Sequence, residues 1–172
     1  MKLNMVLTIL SVFLNLSPDY IGHCLLRTER NDIFVPVYTS SSDTVAIAYI
    51  VNDGYYEDYP DLYIRAKKAN RVLVDVEYMV WGDDRIHNDI CGWIDIRFLG
   101  TYLDEVNDVK KIYMTPDRDA AVAYEIRGYD SNFYGGKYIV TDVWDYWLKI
   151  VNPLNPNLVG WLPPEYSITT NP

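Results

Sequence analysis

Apolar and polar positions alternate in short bursts along most of this chain, and little of it carries the three-to-four spacing of an amphipathic helix. In the first half, residues 34–38, 44–51, 72–79, 90–94 and 98–103 read as strands. In the second half, residues 111–114, 120–125, 137–143, 146–151 and 160–162 do so, followed by a short turn and residues 166–168. Only residues 63–71, YIRAKKANR, point to a helical turn. Strands this short must curl onto themselves to cover their edges, so the expected class is all-β with small barrels.

The pattern also repeats. Tyr38, Ile47, Ala48 and Tyr49 match Tyr113, Val122, Ala123 and Tyr124, each pair 75 residues apart (113 − 38 = 75). Gly92-Trp93 echoes Gly160-Trp161 at a spacing of 68 (160 − 92 = 68). The fall in spacing gives the first unit about seven extra residues, which we assign to its first long loop, 51–71. Glycine suits a place where a strand bends into a barrel, and the tryptophan beside it suits the cover of a barrel end. Residues 100–111 form a short linker without a Pro/Gly/Ser tract, so the two units are expected to pack with limited freedom.

These features resemble the bacterial SH3-like (SH3b) domain family. The segment Gly160-Trp161-Leu162-Pro163-Pro164-Glu165-Tyr166 is similar to that family's closing turn, as is the stretch from Gly92 to Leu99. Asp145-Tyr146-Trp147-Leu148-Lys149-Ile150 resembles its Trp-x-Lys strand. The resemblance implies two tandem small SH3-like barrels, residues 32–103 and 108–170, after an N-terminal signal segment. It also implies a ligand groove in the second barrel lined by Trp147, Pro163 and Tyr166.

The chain opens with one lysine and a 12-residue apolar run, residues 5–16. That is the length of a secretory leader and too short for a membrane-spanning helix. The expectation is a signal peptide or lipoprotein leader over residues 1–24 and an exported protein of a bacterial periplasm or envelope. Ile21-Gly22-His23-Cys24 partly resembles a lipobox, which makes Cys24 a candidate lipid anchor.

Charge narrows the partners. A formal net charge of −9 argues against nucleic acid and against unspecific attraction to anionic membranes. Catalytic chemistry is sparse. His87 and Cys91 lie near Asp83, Asp84 and Asp89, which disfavour a thiolate, so Cys91 reads as a small buried strand residue and no catalytic residue is assigned. The acidic turns lack the calcium-hand spacing and there is no CxxC pair, so no metal and no cofactor are expected.

What remains is binding. With 16 Tyr and 5 Trp, the chain has many rings that join an apolar body to a polar tip. Tyr55, Tyr56 and Tyr59 sit in the long loop of the first unit, and Tyr129, Phe133 and Tyr134 in that of the second. With Trp147, Pro163 and Tyr166 they are the expected ligand-binding residues. The expected ligand is a peptide, a cell-wall stem or a protein partner. The alternative is an acidic inhibitor or immunity-type protein that binds a basic partner. The same rings also suit packing between the barrels or cover over their ends.

Overall fold

The computed structural model describes residues 20–26, 34–51, 60–79, 86–103, 109–127 and 138–168. Among them every regular element is a strand or one turn of 3₁₀ helix. The strands are β1 (Gly22–Leu26), β2 (Phe34–Val37), β3 (Ala48–Val51), β4 (Asp61–Lys68), β5 (Arg71–Met79), β6 (Ile86–Asp95) and β7 (Leu99–Leu103). They continue as β8 (Val109–Tyr113), β9 (Val122–Arg127), β10 (Tyr138–Trp144), β11 (Trp147–Asn152), β12 (Asn155–Leu162) and β13 (Ser167–Ile168). The 3₁₀ turns Ile96–Phe98 and Pro164–Tyr166 precede β7 and β13. The all-β expectation holds.

The ladder runs β6-β5-β4-β1-β7-β10-β11-β12-β8-β9 as one open sheet, with β13 on β7 and the β2–β3 hairpin apart. Its core is equally continuous. Cys24, Leu62, Ile64, Val74 and Ile94 belong to the same buried cluster as Ile112, Val140, Leu148, Ile150 and Leu162. The two halves of the sheet therefore share one buried cluster. The reason lies in β7, where a linker was expected. Gly100 pairs with Leu25 of β1 on one side and Ile139 of β10 on the other, and Tyr102 pairs with Ile168 of β13.

Register explains the two Gly-Trp pairs. Tyr38 and Trp93 exchange backbone hydrogen bonds of 2.8 and 2.9 Å, and Trp161 stands opposite Tyr113 at the matching place in the second half. At each crossing the glycine admits the neighbouring strand. A Cβ on Gly160 would lie 2.6 Å from Cγ2 of Ile112 and 2.9 Å from the carbonyl oxygen of Tyr113. A Cβ on Gly92 would collide with Cγ1 of Val37 and approach the Tyr38 carbonyl to 3.1 Å. The glycines thus serve a close approach between strands rather than a bend out of a loop.

Two expectations change. Residues 63–71 are not helical: Leu62 and Ile64 point into the core while Tyr63 and Arg65 face outward, the period of a strand. The extra residues of the first half are not in its first long loop. The pairs Lys68–Arg71 and Trp144–Trp147 are 76 apart (144 − 68 = 76), so the loop is not lengthened. The spacing then falls to 68 between Ile94, opposite Val72, and Leu162, opposite Leu148 (162 − 94 = 68), which puts the insertion in the β5–β6 hairpin. Strand β1 lies inside the expected leader. Cys24 is fully buried and pairs with Leu62.

Candidate functional site

The β10–β11 connection is a two-residue turn in which Asp145 (φ 44°) and Tyr146 (φ 66°) are both left-handed, the geometry that matches strand twist. The Tyr146 N–H donates to the Ile21 carbonyl at 2.9 Å, which holds the turn in place. Trp147 starts the returning strand and meets Tyr113 edge-on, with centroids 5.6 Å apart and planes at 81°. Pro163 follows Leu162, the partner of Leu148, and so lies beside Trp147; the Tyr166 N–H donates to its carbonyl at 3.1 Å. Tyr113, Trp147 and Pro163 therefore form one cluster, to which a backbone hydrogen bond ties Tyr166. Beside this cluster lies an ion pair, Arg118 Nη1 to Glu165 Oε1 at 2.7 Å. The hydrogen bond to Glu165 raises the Arg118 pKa, and the nearby Tyr113 and Tyr166 phenols act in the same direction.

Of the expected ligand-binding residues, Trp147, Pro163 and Tyr166 do come together. Trp147 and Pro163 are buried, with Trp147 only 8% exposed, while Tyr166 is half-buried. Of the three, only Tyr166 keeps an appreciable share of its surface in contact with solvent. Tyr55, Tyr56, Tyr59, Tyr129, Phe133 and Tyr134 lie outside the described residues. Tyr63 and Tyr138, which flank those loops, are strand residues: Tyr138 is buried opposite Thr101, and Tyr63 stacks on His23.

The corresponding place in the first half holds Tyr38, Arg71, Asp95 and Phe98. Arg71 faces Asp95 in register, as Trp147 faces the Pro163 position. Its guanidinium lies 3.7 Å from the Tyr38 ring centroid and donates to the carbonyls of Asp43 (2.6 Å) and Ser40 (3.2 Å). Here an arginine occupies the place that Trp147 takes in the second half.

A polar row crosses the outer face of the first half. In register it reads His23, Tyr63, Asp75, Cys91 across β1, β4, β5 and β6. His23 stacks on Tyr63 at 4.3 Å, and Arg65 ion-pairs with Asp75. The row is built against nucleophilic chemistry. Cys91, expected to be buried, is exposed, yet its sulfur lies among strand neighbours. Burial and then Asp75 push its thiol up to about 12. Burial pushes His23 down to about 4 and outweighs the Asp61 carboxylate 3.8 Å away. Sequence reading missed this row because it exists only once four strands are in register. Among the described residues no group of three or more His, Cys, Asp or Glu is arranged to hold a metal ion.

A scan against protein-family models finds none that matches this chain, and no curated protein matches it in sequence.

Proposed function

We propose that this chain is an exported, non-enzymatic binding module of a bacterial envelope, built from two SH3-like barrels that share β7. On this reading β7 closes the first barrel against β1 and opens the second, where β13 closes it in turn. The register supports it: Leu25–Gly100 recurs as Tyr102–Ile168, and Leu26–Leu99 as Leu103–Ser167. The packing of Tyr20 on Tyr63 and the pairing of β1 with β4 favour a cleavage point before Tyr20.

One observation carries the function: the clustering of Tyr113, Trp147, Pro163 and Tyr166 in the second half, beside the Arg118–Glu165 ion pair. Aromatic-lined grooves receive extended, proline-bearing or wall-stem peptides, whose bound form costs little ordering entropy. The test is retention of the full chain on isolated bacterial wall polymer and on an immobilised proline-rich peptide. Retention on at least one of them, weakened about tenfold by Tyr166→Ala at an unchanged melting midpoint, supports the groove. Retention that Tyr166→Ala leaves intact, or no retention on either, refutes it.

A further inference from the structure

Between the two halves lies a second concavity that shares no residue with this groove. It is a cleft of about 780 Å³ bounded by Lys67 and Ala69 at the β4–β5 turn and by Asp142, Trp144 and Asp145 at the β10–β11 turn. Trp161 and Pro116 complete its wall. Its size is that of a small-ligand or peptide site rather than of a domain contact.

Its polar groups are unequal. The Lys67 ammonium is 2.5 Å from Asp142 Oδ1, so that pair neutralises itself across the halves. Asp145 follows in the left-handed turn, and no cation pairs with it among the described residues. Beside it the Trp144 indole is 65% exposed, a large ring left in water at the mouth of the cleft. An indole face next to an unpaired carboxylate is the combination that holds a guanidinium or ammonium group, by attraction to the ring and to the acid together. The whole chain, at −9, draws a basic partner toward it.

The geometry points to the cleft as a site for a basic peptide segment, with an Arg or Lys side chain of that segment on Trp144 and paired with Asp145. This rests on the reading of the chain as a binding module and names a second ligand class for it.

The experiment titrates the full chain with an acetylated, amidated tetra-arginine peptide and follows it by calorimetry. Tetra-glutamate and an N-acetylglucosamine tetramer serve as comparison ligands. Saturable binding of tetra-arginine is expected, weakened about tenfold by Trp144→Ala and by Asp145→Asn at unchanged melting midpoints. Glu125→Gln, which removes one negative charge on β9 outside the cleft, is expected to leave it unchanged. Four results overturn the proposal: no saturable binding, equal weakening by Glu125→Gln, preference for the saccharide, or loss in Tyr166→Ala with Trp144→Ala unaffected. The last moves the basic peptide to the second-half groove and leaves the binding-module reading standing. Failure of Tyr166→Ala on wall polymer and proline-rich peptide, with tetra-arginine still lost in Trp144→Ala, does the reverse.

Discussion

In the first half, His23, Tyr63, Asp75 and Cys91 form a row across four strands; the same register in the second half holds Gly100, Ile139, Val151 and Val159. The groove positions differ in the opposite sense. Tyr38, Arg71, Asp95 and Phe98 stand in the first half where Tyr113, Trp147, Pro163 and Tyr166 stand in the second. Inward positions barely differ: Val37 and Ile112 both press on a crossing glycine, and Cys24 and Thr101 are both fully buried. The ladder is set by what points inward and by the two glycines. Outward positions are free to differ, and there the first half carries a polar row where the second carries glycine and aliphatic residues. On the proposed function, a partner is to be sought on the second half and at the junction.

The strongest way to break the comparison is to cut it. If each half needs an edge of β7, the fragment 108–172 lacks the partner of Tyr138 and Ile139 and of β13. It is expected to show no cooperative thermal transition by circular dichroism, while a fragment that begins at residue 97 regains one. A cooperative transition in the shorter fragment would mean that the second half folds without β7.

A smaller effect separates the two grooves. Trp147 is nearly buried, so Trp147→Ala should cost about 3–5 kcal/mol in chemical denaturation. Arg71 is half-buried and holds one ring and two carbonyls, so Arg71→Ala should cost about 2 kcal/mol. Equal costs would show that the two positions do the same packing and that the contrast between tryptophan and arginine there is only chemical dress.

How much of this was legible depends on whether a feature is local. The Gly-Trp echo and the 75-residue spacing are local patterns, and they mark the two equivalent crossings. The strand over Asp61–Lys68 was hidden because a bulge between Ile64 and Ala66 resets the alternation, and Ala66-Lys67-Lys68 then reads as helix-compatible. The place of the extra residues needed the pairings of β5 with β6, which no spacing supplies. The same holds for the polar row, for the place of Arg71 and for the cleft, where residues 75 apart, Lys67 and Asp142, meet. Aromatic composition pointed toward binding but did not separate Trp147, a buried ring, from Trp144, an exposed platform.

The last test uses acid to ask whether the polar row belongs to the first half alone. Burial lowers the His23 pKa to about 4 from its ordinary 6.5. Between those values the unfolded chain carries the proton and the folded chain does not. The contribution of neutral His23 is therefore complete above pH 6.5, is lost at about 1.4 kcal/mol per pH unit as pH falls, and levels off below pH 4. The informative quantity is a difference between two proteins, in which everything but His23 cancels. In His23→Gln the slope of stability against pH between 6.5 and 4 should be shallower than in the parent by that single-proton amount, whatever offset the lost stacking on Tyr63 introduces. Gly100, which takes the place of His23 in the second half, has nothing to titrate. Amide exchange should accordingly show protection falling with acid on β1 and β4 before β10 and β11. Parallel slopes for parent and variant would mean that His23 is as protonable in the fold as in water, and the first half would lose the feature that most sets it apart.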